Sequence, residues 1–115
     1  MSLDITPDGV AALYDALRQF QPFKGWNLPE ADEVEFHVVR EKKVYGTYHY
    51  GDAHAITVSE TVCGHWSTLT GTVAHEMIHL HQSIRGTTSK AEHNHEFRRL
   101  ALQVCQAFGF DERCF

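Results

Sequence analysis

His75-Glu76-Met77-Ile78-His79 places two imidazoles and one carboxylate at the spacing of a hydrolytic zinc site. On an α-helix, residues four apart lie about 6 Å apart along the axis and nearly above one another, so His75 and His79 can hold one ion together. Glu76 falls one step round the helix, beside that ion, where a carboxylate can take a proton from water that zinc has acidified. The stretch also constrains the fold, because the pair converges only if these residues are helical.

The flanks agree with a helix. Leu69, Val73, Met77 and Leu80 form one apolar stripe, which predicts a helix capped by Ser67 or Thr68 and running to about Ser83. At 100° per residue the histidine pair lies on a face separate from that stripe, with Glu76 between the two. Beyond a loop over residues 85–91, Ser89 and Glu92 fit a capping box. Phe97, Leu100, Ala101, Val104, Cys105 and Phe108 then predict a helix that stops at Gly109 and carries His93, His95 and Glu96 in its first turns.

Upstream, Thr6-Pro7-Asp8 supplies a cap, a proline at the first helical position and an acid in the first turn. Val10, Leu13, Leu17 and Phe20 follow at helical spacing, predicting a first helix over residues 7–20. Residues 21–30 form a loop whose Phe23, Trp26 and Leu28 are expected to pack on the core. From Glu33 to about Glu60 the pattern alternates, with Val34, Phe36 and Val38 opposing Glu35, His37 and Val39, and predicts strands near 33–40, 44–50 and 54–59. Turns near 41–43 and at Gly51-Asp52 make an antiparallel meander the expected pairing. The fold class expected is α+β: an N-terminal helix, a small three-stranded antiparallel sheet, the site helix and a C-terminal helix.

A length of 115 residues suits one domain, residues 1–115, and 43% apolar content with only three prolines suits a globular chain. No apolar run is long enough to span a bilayer, and residues 1–6 lack the basic and apolar regions of a signal peptide, so a cytoplasmic protein without membrane association is expected. Cys63, Cys105 and Cys114 form no CxxC pair and support neither a disulfide framework nor a zinc ribbon; Cys105 is expected in the core. A net charge of -5 does not support DNA association, for which a basic face is the usual requirement. Arg40, Lys42, Lys43 and Arg98, Arg99 are the local basic clusters, and each reads as a solvated face.

Catalytic zinc commonly takes three protein ligands, so the pair needs a third. The pattern HExxHxxGxxH asks for Gly at 82 and His at 85, where this chain has Gln82 and Arg85, which excludes that class. A thermolysin-like site asks for a Glu from a following helix, for which Glu92 and Glu96 are candidates. Among histidines, His81 projects about 200° away from His79 and reads as a surface residue. His93 and His95 remain; His93 stands four residues before Phe97, so a packed aromatic one turn on would steady the backbone that aims it. His37, His49, His54 and His65 have no motif support.

His75-Glu76-x-x-His79, thirteen intervening residues, then His93-Asn94-His95-Glu96-Phe97 and an apolar helix resemble the SprT-like zinc metallopeptidases, whose pattern is HExxH followed by HGxxF. That family includes the Spartan proteases, which degrade proteins crosslinked to DNA. The resemblance runs from about Tyr50 to Gly109. It implies a minimal zincin-like fold, a Zn2+ cofactor held by His75, His79 and His93, Glu76 as general base, and hydrolysis of peptide bonds in a protein substrate. Zincins commonly take substrate as an extended strand on the sheet edge above the site helix; residues 54–60 are the expected rim, with His54 or Tyr48 near the oxyanion.

Two departures stand out. Asn94 occupies the usual glycine position, and no cysteine zinc ribbon follows the core, which with the negative charge leaves hydrolysis expected and intrinsic DNA recognition unsupported. Two alternatives share these residues: a non-enzymatic binding module stabilised by zinc, and a peptidase specific for one regulatory protein.

Overall fold

The computed structural model describes residues 5–115; residues 1–4, on which the expected absence of a leader partly rests, and the side chain of Cys114 lie outside the described residues. Helix α1 (Pro7–Leu17) starts as its sequence predicts, the Gly9 N–H donating to the Thr6 hydroxyl at 3.0 Å. It buries Val10, Tyr14 and Leu17 but ends three residues early. Ahead of Pro22 the chain tightens into bonds from Gln19 N–H to Ala16 O and from Phe20 N–H to Leu17 O, which leaves Phe20 exposed. Phe23 and Leu28 of the following loop are buried, and Trp26 packs beside them, as expected.

Strands β1 (Val34–Val39), β2 (Gly46–Tyr50) and β3 (His54–Ser59) form one sheet in the order β1-β3-β2. β3 runs parallel to β1, with Phe36 opposite Ile56, and antiparallel to β2, with Tyr48 opposite Ile56. The sheet is therefore mixed, which corrects the expected antiparallel meander. β3 carries the fully buried Ile56 and Val58 and takes the centre, while β1 and β2 form the edges. Residues 40–45 are not a hairpin turn: they pass round the end of β3, where Tyr45 O accepts the Ser59 N–H at 2.9 Å and Val39 O accepts the Glu60 N–H at 2.9 Å. The Ser59 hydroxyl donates to Glu41 O in the same crossing.

Helix α2 (Trp66–Arg85) is capped by His65 and begins two residues earlier than Ser67 as a cap implies; it closes on Gly86 at φ 73°, a left-handed conformation suited to glycine. Leu69, Val73, Met77 and Leu80 are buried as the stripe requires, and so are Ala74 and Ile78, because α2 packs against β2, β3, α1 and α3 at once. Helix α3 (His95–Phe108) buries Phe97, Leu100, Val104 and Cys105. Its cap is Asn94, not Ser89, so His93 precedes the helix instead of lying in its first turn. Cys63 and Cys105 are buried free thiols. Among the described residues, no helix is long and apolar enough to cross a membrane.

Candidate metal centre

α2 presents His75 and His79 on one face, ring centroids 5.1 Å apart, and the turn before α3 brings His93 to 4.9 Å from His75 and 5.3 Å from His79. One ring nitrogen from each lies within 4.8 Å of the other two. Zinc at about 2.0–2.1 Å from tetrahedral nitrogen ligands sets those ligands about 3.3 Å apart. The Nε2 atoms of His75 and His93 are 3.2 Å apart, so this donor set fits such an ion. Phe97 packs against all three rings, at 4.9, 4.6 and 4.5 Å, and is itself buried. The aromatic one turn after His93 is thus packed, as its spacing suggested, and touches each of the three candidate ligands.

Burial, followed by the neighbouring His79 and His93, pushes the His75 imidazole down to about 3. Burial, with His93 and against Glu92, pushes His79 down to about 4. Both rings are neutral at physiological pH, the form that binds a metal ion. Glu76 is 5% exposed, and among the described residues no hydrogen bond reaches its carboxylate. Burial, then repulsion from Glu92, pushes it up to about 8. A largely buried carboxyl with no hydrogen bond among the described residues, one residue from His75 and three from His79, has the electrostatic character of a functional site.

Glu76 and His75 open onto a cleft of about 740 Å³ that is also lined by Tyr45, Gly46, Phe110 and Phe115. Gly46 permits this arrangement. A Cβ there would meet Thr57 O and Thr72 Cγ2 at 2.8 Å, so only glycine lets β2 lie this close to α2 beside Glu76. β2, an edge strand among the described residues, reaches the cleft at its first residue, Gly46, whereas β3 is paired on both sides. This corrects the expected rim at residues 54–60, since a strand with both neighbours filled has no edge to offer. Tyr48 and His54 bond to each other at 2.6 Å, and neither lines the cleft.

The remaining candidates separate cleanly. His95 opens α3, is exposed, and stands outside the cluster. Glu96 is held by Arg99 at 2.7 Å, and Glu92 enters as a nearby charge. His81 stacks on Trp26 at 4.3 Å and is half-buried, so it is a packing residue and not the surface histidine that helical projection alone suggests. Sequence reasoning overlooked Gln82, buried on α2, and the bonds of Asn94. The capping role of Asn94 three residues before Phe97 was the readable signal. No curated protein matches the chain. A model of the SprT-like family matches residues 13–114, nearly its whole length.

Proposed function

The chain belongs to the SprT-like family, and from that premise we propose that it is a zinc-dependent endopeptidase with a zincin-like fold. The observation that carries the reading is the convergence of His75, His79 and His93 beside the Glu76 carboxyl, which accepts no hydrogen bond among the described residues and faces the cleft. His75, His79 and His93 would hold Zn2+, which when bound supplies Lewis acidity toward water and the scissile carbonyl. Glu76 takes the proton of the attacking water on its carboxylate and returns it to the leaving amine. A cation beside Glu76 favours its ionised form and so opposes the effect of burial. Phe97 keeps the three rings in register, and the free edge of β2 offers backbone partners to an extended substrate segment.

The substrate class is protein, and the family resemblance makes DNA-associated or DNA-crosslinked proteins the first to try. With a net charge of -5, contact with DNA is assigned to a partner instead of to a face of this chain. Cleavage of an unfolded test protein, and of one crosslinked to DNA, should stop on chelation and return when zinc is restored. Cleavage of neither by the zinc-loaded chain contradicts the reading.

A further inference from the structure

Gln82 lies on α2 three residues beyond His79 and is 1% exposed. Burying an amide is costly unless its hydrogen bonds are made, so the partners of Gln82 explain its presence better than its volume does. Its Nε2 donates to Asn94 Oδ1 at 3.1 Å and to Thr87 O at 3.4 Å. Asn94 extends the set: Nδ2 donates to Thr87 O at 3.1 Å and to Ser89 Oγ at 3.0 Å, while Oδ1 also accepts the Phe97 N–H at 2.9 Å. These bonds tie the irregular segment 87–94 to the end of α2 and to the start of α3.

His93 sits inside that tied segment, in a turn, with an exposed side chain, yet its ring has to meet two rings fixed on a helix. We propose that Gln82 and Asn94 are positioning residues, a clamp that holds the His93 turn in register with His75 and His79 before any ion binds. The clamp holds the side chain of the residue following His93 against the backbone of Thr87 and Phe97 and the hydroxyl of Ser89, which lowers the ordering cost of using a turn-borne ligand. Asn94 thereby does what the usual glycine at this position cannot. The inference rests on the proposed function only in taking His93 as a ligand.

The test is zinc affinity, measured by competition with a chromophoric chelator, alongside thermal melts of the metal-free chain, for wild type, Gln82→Met, Asn94→Ser and the double variant. Methionine keeps the volume of Gln82 and orphans no acceptor, because Asn94 Oδ1 retains the Phe97 N–H and Thr87 O retains Asn94 Nδ2. Serine keeps a capping hydroxyl for α3 but cannot span to Thr87 and Gln82. Each single variant should weaken zinc binding about tenfold with helical content intact, and the double variant should be little weaker than either, because both act in one network. Variants that melt earlier yet bind zinc as tightly as wild type overturn the clamp alone. A wild-type chain that binds no zinc overturns the clamp and the proposed function together.

Discussion

Of the three clustered rings, His93 alone reaches the site from outside a helix, and its exposure means that the fold does not depend on it. His93→Ala should leave the metal-free chain within about 0.5 kcal/mol of wild-type stability in a denaturant titration. Zinc affinity should fall by at least about a hundredfold, because a ligand is lost and not merely its support. His75, Glu76 and His79 were legible in the sequence because helical periodicity alone puts them together. His93 was legible through Phe97, whose packing against all three rings converts a spacing into a location. The clamp was not legible, since side-chain bonds across an irregular segment leave no period to read. Asn94 illustrates the difference: it is extended, with φ -72° and ψ -177°, so it needs no left-handed conformation and serves instead as cap and tie.

At the scale of elements, helix existence was readable from apolar spacing, while strand order was not. Alternation reports which face of a strand is buried and says nothing about its neighbours, so the crossing of residues 40–45 round β3 had no signature beyond the greater burial of Ile56 and Val58. The close approach of β2 to α2 gives a direct check. Gly46→Ala forces a methyl against Thr57 O and Thr72, and should cost about 1–3 kcal/mol in a denaturant melt while slowing cleavage through displacement of the cleft edge. Tyr14 links α1 to the following loop by donating to Pro29 O at 2.7 Å, and burial raises its phenol above the ordinary tyrosine value. The folded state therefore favours the neutral phenol. Its stabilisation is whole below about pH 10 and is lost as pH rises toward the higher folded value. Tyr14→Phe should cost about 1 kcal/mol at pH 7 and flatten the alkaline limb of a stability–pH curve.

Across the whole molecule, the core and the site are nearly separate. Val10 and Tyr14 of α1, Ile56 and Val58 of β3, Met77 and Ile78 of α2, and Val104 of α3 are buried without recourse to the histidine cluster. Chelation should therefore lower Tm without abolishing the cooperative transition. Zinc at a hundred times its Kd contributes about 2.7 kcal/mol by mass action, which for a chain of this size is a shift on the order of 10 °C. Complete unfolding on chelation would favour a metal-stabilised module over an enzyme. The most direct test of the hydrolytic assignment is to measure zinc content and cleavage of an unfolded test protein on the same preparations of wild type and Glu76→Gln. The expected result is about one equivalent of zinc in both and cleavage by wild type only. A zinc-free wild type after purification without chelator, or a Glu76→Gln chain that cleaves at the wild-type rate, would contradict the account.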